Sequence, residues 1–375
     1  MTGFVPPPYP YERLDALARL ADSLPGGIVD CSIGTPCDPV PDVARIAASG
    51  ALTAANGYPP SAGSPALRDA AAAWIRRRFN VSLDGAHVGA CVGTKEFVAS
   101  LPHLLRLRTP ARDTVLYPAV AYPTYEMGAT LAGCRAAAVP LDAEWHLDLD
   151  AIDEADAERA LVLWVNEPGN PTSSVADRDF FARVAAWARG RGIVVASDEC
   201  YVEFAPAAHT ILTAGTAGVL AVHSVSKRSN LAGMRVGFYA GDPDLVSYLV
   251  ETRKHAGLMA PTPVQAAAAA ALGDDAHVDE QRARYAERRA LVQAALSEHL
   301  LVHDGGEASF YLWLRATDGA DDGWEIAARL AQHAGLLVAP GDLYGAAGAD
   351  HVRLALVQPR DRLELALDRM ARSLA

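Results

Sequence analysis

Between residues 86 and 240 short apolar runs alternate with stretches whose apolar positions return every three or four residues. "HVGACVG" precedes "TKEFVASLPHLLRL", "DTVLYP" precedes "YPTYEMGATLAG", and "RALVLWVN" precedes "DFFARVAAWARGRG". Three further apolar runs, "IVVASDE", "GVLAVHS" and "RVGFYAG", complete the series. Continuous apolar strands alternating with amphipathic helices predict a mainly parallel sheet covered on both faces. No GxGxxG follows any of these strands, so the best sign of a dinucleotide fold is missing.

Beyond Pro243 the pattern changes. "PDLVSYLVETRKHAGL" and the segment from Thr262 to His299 read as helices, the second broken near Gly273. Strands are expected at "SFYLWL", "LLVAP" and "HVRLAL", with helices from Trp324 and Arg360. A proline-rich arm and the amphipathic helix "YERLDALARLADSL" open the chain. The expected fold class is α/β: an arm and helix over residues 1–45, a large domain over 46–260 around the parallel sheet, and a small α+β domain over 261–375 that the first segment joins.

The chain has 375 residues, 51% hydrophobic and 21% charged, the profile of a folded globular protein. Its net charge of −12, from 33 basic and 45 acidic residues, argues against nucleic acid or an anionic membrane as the main partner. The five cysteines, Cys31, Cys37, Cys91, Cys134 and Cys200, form no CxxC pair; reduced thiols and a cytoplasmic setting are expected. "MTGFVPPPYPYERL" has neither a basic nor an apolar leader region, and no run approaches the ~20 apolar residues of a membrane helix.

Ligands of open α/β sheets sit at the carboxyl ends of strands, and the conspicuous polar groups fall there. "CVGTKE" follows a strand and opens a helix, which aims the backbone N–H groups of Gly93, Thr94 and Lys95 at an anion. "NEPGNPT" ends a second strand, "SDECY" a third and "HSVSK" a fourth. Taken singly, each has a plain alternative: an ordinary helix start, a proline-asparagine turn, a helix cap, a basic loop. Their joint order is more specific. Asparagine-proline-threonine, aspartate-x-x-tyrosine, serine-x-serine-lysine, then an arginine eight positions on and a glycine two beyond it resemble the class I/II aminotransferases, the large fold-type I family of pyridoxal phosphate enzymes. The resemblance runs from about Cys31 to the C-terminus.

That resemblance implies a set of roles. Lys227 matches the lysine whose primary amine condenses with the cofactor aldehyde and, once displaced by a substrate amine, moves a proton as general base. Asp198 matches the carboxylate that keeps the cofactor's ring nitrogen protonated. Asn170 and Tyr201 match donors to the phenolic oxygen. Ser224, Ser226 and Arg235 match phosphate ligands, with the turn at Gly93, Thr94 and Lys95 adding helix N-terminal donors. Tyr122 matches the aromatic stacked on the ring, the plain alternative being a core tyrosine after a strand, with Tyr125 close by. Tyr58, in "NGYPPSAGSPALR", matches the tyrosine that reaches the phosphate of a neighbouring subunit, which implies a homodimer. Arg353 matches the clamp on the substrate α-carboxylate, with Gly34 and Asn170 beside it.

The implied reaction is amino transfer between an amino acid and a 2-oxo acid, commonly 2-oxoglutarate. The overall pattern looks most like the N-succinyl-diaminopimelate aminotransferases of lysine and cell-wall precursor biosynthesis, through "VAYPTYEMGATLAG", "APTPVQAAAAAAL", "DEQRARYAERRALV" and "ASFYLWL". An aspartate- or alanine-type aminotransferase and a carbon–sulfur β-lyase share the cofactor residues. A transcription regulator with this sensor domain needs a fused DNA-binding module, and only about 30 residues precede "DCSIGTP", too few for one. His299 and His303 have helical spacing but no third ligand for a metal. Cys200 receives no role, and Asp318, Asp321 and Asp322 are expected in a solvated loop.

Overall fold

The structure, a computed structural model, describes residues 3–207, 209–297, 301–317, 319 and 321–373. It divides into two compact units, one of residues 35–285 and 306–309, the other of residues 1–34, 286–305 and 310–375.

The first unit is built on a seven-stranded sheet in the order Val88–Cys91, Gly237–Gly241, Val219–Ser224, Val194–Asp198, Ala160–Asn166, Thr114–Pro118 and Arg135–Val139. Every neighbouring pair is parallel except those of Gly237–Gly241, which runs antiparallel to both its neighbours. Ala160–Asn166 is buried at all seven positions, as expected of a central strand with helices on both faces. Its Leu163 and Val165 pack with the helices Pro65–Phe79 and Arg178–Arg191, whereas Val162 and Trp164 pack with Thr94–Arg108 and Thr124–Leu131. Alternate residues of one strand thus feed two separate cores.

In the second unit Tyr311–Ala316 pairs antiparallel with His351–Ala355 and with Leu301–His303, and Ala339–Pro340 borders His351–Ala355. Val29–Asp30 pairs in parallel with Leu336–Leu337. Helices Asp15–Asp22, Gly323–Ala334 and Arg360–Ser373 complete it. This unit therefore mixes helices with short, mainly antiparallel strands.

Several local expectations change. "LLVAP" is two short strands interrupted at Val338, because its halves bond to different partners. The opening helix begins as a 3-10 turn, Pro10–Leu14, where proline supplies no N–H. His303 ends the strand Leu301–His303 and does not lie on a helix, with its Nδ1 at 3.1 Å from the Trp313 backbone; His299 lies outside the described residues. Asp318 is likewise outside them. Its neighbours are not merely solvated: Asp322 forms a capping box with Glu325 at the start of Gly323–Ala334, and Asp321 pairs with Arg329. No described helix is long and apolar enough to cross a membrane.

Candidate active site

Strand register lines up the polar residues. Asn166 lies opposite Asp198, each the last residue of its strand, and Ser224 lies opposite Gly237, which is itself opposite Cys91. Each chain leaves the sheet here, so its next few residues belong to a loop or a helix start at one edge.

Asp198 is the centre. It is 8% exposed, and Tyr125 donates its hydroxyl to Oδ2 at 2.9 Å while the Cys200 backbone N–H meets Oδ1 at 3.2 Å. Burial pushes its pKa above the usual carboxylate range, against the pull of those hydrogen bonds and of the nearby Lys227 charge. Burial likewise pushes the Tyr125 hydroxyl well up, so it stays a proton donor. A buried carboxylate held in this way is stabilised by a cationic partner, which is what a protonated pyridine nitrogen offers.

Asn170 is tied to the same place. The Asn166 amide donates to the Asp198 carbonyl at 3.0 Å, and Asn166 Oδ1 accepts from the Asn170 N–H at 2.9 Å. The loop between them contains two cis peptide bonds, Glu167–Pro168 and Asn170–Pro171. Tyr201, three residues past Asp198, is 6% exposed.

At the neighbouring strand end Ser224 caps a single helical turn, Val225–Arg228, by accepting from the Ser226 N–H at 3.1 Å. Lys227 is the third residue of that turn. Arg235 follows with φ of +50°, a strained setting for a non-glycine residue of the kind that collects at functional sites. Its guanidinium lies against Gly93: a Cβ on that glycine, whose φ is +77°, stands only 2.2 Å from Arg235 Nη2. Gly93 is the N-cap of the fifteen-residue helix Thr94–Arg108, so a guanidinium and the positive end of a helix share one small space. Such a cradle would suit a phosphate dianion, and a carboxylate such as Asp198 would suit a protonated ring nitrogen. When bound, pyridoxal phosphate supplies an aldehyde and an electron-withdrawing ring.

Lys95 Nζ lies 5.8 Å from the centre of the Tyr122 ring, and Tyr122 stands edge-on to Tyr125 at 6.4 Å. Cys200 Sγ is 3.4 Å from Thr94 Oγ1, and burial pushes its thiol pKa well up. Tyr58 is 96% exposed, so little of its own chain covers it. In the other unit Arg353 is 2% exposed, with its guanidinium 4.2 Å from the Tyr311 ring centre and 4.9 Å from that of Tyr344. Gly34 packs against Tyr311, whose hydroxyl is 2.0 Å from where a Cβ would be. Tyr125 is the residue that sequence reasoning missed. Its signal was its place three residues after Tyr122, on the same turn of the helix start. Among the described residues no cluster of three or more metal-binding side chains occurs.

Comparisons with known proteins give the family. The profile described as aminotransferase class I and II matches residues 27–370. A probable aminotransferase of Mycobacterium tuberculosis is 44% identical over 97% of this chain and 85% of its own length. The 4-dedimethylamino-4-oxo-anhydrotetracycline transaminase OxyQ of Streptomyces rimosus is 43% identical over 97% of this chain and 99% of its own. Among solved structures, a probable N-succinyldiaminopimelate aminotransferase of Thermus thermophilus superposes with a TM-score of 0.87 at 32% identity, covering 97% of this chain and all of the other. The likeness extends through the fold and across both units, and on it the chain belongs to the class I and II aminotransferases, a pyridoxal phosphate-dependent family.

Proposed function

We propose that this enzyme transfers an amino group between N-succinyl-LL-2,6-diaminopimelate and the 2-oxoglutarate/glutamate pair, within lysine and cell-wall precursor synthesis. The carrying observation is the buried Asp198 carboxylate with its Tyr125 donor, in register with Asn166 and one strand from the Lys227 turn. Lys227 is the reactive amine and general base. Asp198 holds the proton on the ring nitrogen, and Asn170 and Tyr201 donate to the phenolic oxygen. Ser224, Ser226, Arg235 and the Gly93, Thr94 and Lys95 turn hold phosphate, while Tyr122 covers the ring. Arg353 clamps the α-carboxylate, Gly34 and Asn170 being the other substrate-binding residues of this reading, and the aromatic faces around its guanidinium fix its plane. A cytoplasmic dimer with Tyr58 entering the neighbouring site completes the reading.

The substrate choice draws support from likeness to the Thermus protein. A second reading, amination of a bulky polycyclic ketone, draws on the 43% identity to OxyQ over nearly all of that protein. Holoenzyme incubated with glutamate and either N-succinyl-2-amino-6-oxopimelate or a 4-oxo-anhydrotetracycline separates them by 2-oxoglutarate release. Release with the first acceptor alone supports the proposal, and release with the second alone replaces it. Release with neither, when pyruvate or oxaloacetate does serve, moves the enzyme to the alanine or aspartate type. Pyruvate and ammonia formed from a β-substituted amino acid without any acceptor identify a lyase.

A further inference from the structure

Behind the strand ends lies a polar group that the proposed chemistry leaves unused. Glu199 follows Asp198 and His223 precedes Ser224; they are 1% and 3% exposed. Neighbouring residues of extended backbone point to opposite faces, so Glu199 and His223 turn away from the face that Asp198 and Ser224 present. Glu199 Oε1 accepts from the Ser197 hydroxyl at 3.0 Å and from the Ile211 N–H at 2.9 Å. Its Oε2 faces His223 Nε2 at 3.5 Å, too long for a good direct bond.

Among the described residues, Glu199 Oε2, both ring nitrogens of His223 and Arg228 Nη2 have no hydrogen-bond partner in the protein. Unsatisfied buried polar atoms are costly, and four in one place call for an occupant. All three side chains line a cavity of about 10 Å³, with Trp74, Glu203 and Phe238 in its wall. That is room for a single water, which needs two to four polar partners.

We propose that Glu199, His223 and Arg228 hold one buried water, across which Glu199 and His223 share a single proton. Around this pair stand Asp198 and Cys200 on the same segment, His223 on the next strand, and Glu203 and Arg228 across the cavity. Arg228 is already engaged by Glu203 at 3.1 Å and by Asp275 at 3.8 Å, and Glu203 also takes Arg78 at 2.6 Å. Glu199 therefore has no cation of its own. Burial raises its pKa to about 8 and lowers that of His223 to about 3. At neutral pH the acid and the imidazole are both uncharged, and the pair places no net charge beside Asp198. Above about pH 8 the carboxyl O–H breaks, the proton leaves to solvent, and a carboxylate remains next to Asp198.

The test uses holoenzyme and Glu199→Gln. Infrared difference spectra of wild type against Glu199→Gln are expected to show the C=O band of a protonated carboxyl at pH 7, fading near pH 8. No such band at pH 7 overturns the proposal. Melting temperature supplies a second readout. The raised pKa of Glu199 stabilises the folded state at low pH, and that contribution is lost as pH rises through about 8. The lowered pKa of His223 adds no slope above its ordinary value of 6.5. Wild-type melting temperature relative to Glu199→Gln is therefore expected to fall between pH 6.5 and 8.5, whereas a constant gap means that Glu199 only packs. Should Glu199→Gln not fold, the fading of the carboxyl band in wild type, and its displacement in His223→Asn, decide the matter.

Discussion

At the scale of single residues the site turns on how a buried carboxylate is kept useful. Asp198 is surrounded by groups that favour its charged form against burial, and the Cys200 side chain and the Tyr125 hydroxyl, the latter at 2.9 Å, are donors among them. A hydrogen bond to a charged group contributes about 1.5–3 kcal/mol, and 1.4 kcal/mol is tenfold in an equilibrium constant. Tyr125→Phe removes that donor and leaves the ring, which packs against Trp164 with centroids 5.1 Å apart. Asp198 then ionises less readily and holds the ring nitrogen less firmly. The dissociation constant for pyridoxal phosphate is expected to rise roughly tenfold, with far-ultraviolet circular dichroism unchanged. An unchanged constant removes Tyr125 from the site.

At the scale of elements the site depends on close approach between a helix start and a loop. Gly93 begins Thr94–Arg108 with φ of +77°, and Arg235 lies where its side chain would be. Gly93→Ala meets two obstacles, a left-handed backbone and a guanidinium 2.2 Å away. The backbone strain alone costs about 1–3 kcal/mol, and moving Arg235 separates the two halves of the anion cradle. Phosphate protection of the apoenzyme against thermal unfolding is expected to disappear in Gly93→Ala and persist in Thr94→Ser. Retained protection in Gly93→Ala refutes the cradle. The same scale shows what was legible in sequence. "NEPGNPT", "SDECY" and "HSVSK" were readable because strand, strand end and polar residue lie within a few positions of one another. The contact of Tyr125 with Asp198 spans 73 residues and exists only once two strands and a helix have packed. Arg135–Val139 escaped notice because an edge strand of mostly alanine, alternately exposed and buried, carries little apolar signal. The helices Asp42–Ala51 and Pro65–Phe79 were also not read, since alanine at four of ten and five of fifteen positions blurs the helical period.

At the scale of the whole molecule the question is whether one chain makes one complete site. Val43, Ile46, Leu52 and Tyr58 are exposed large apolar side chains within sixteen residues, with Ile46 at 62%, Leu52 at 64% and Tyr58 at 96%. Apolar groups gathered on a surface mark an interface more often than a scattered few do, and the proposed role of Tyr58 requires a second copy beside it. In a two-fold dimer each Tyr58 serves the site whose Lys227 belongs to the other chain. Lys227→Ala is expected to be inactive, and Tyr58→Ala to bind pyridoxal phosphate weakly. Unfolded together and refolded as a mixture, half of the dimers are mixed. Each mixed dimer holds one site with Lys227 from the Tyr58→Ala chain and Tyr58 from the Lys227→Ala chain. That site is intact, whereas its twin carries both defects. At limiting cofactor the mixture is expected to recover about a quarter of wild-type activity per site, well above the mean of the two variants assayed apart. If Tyr58 serves its own chain instead, no mixed dimer gains an intact site, and activity stays at that mean.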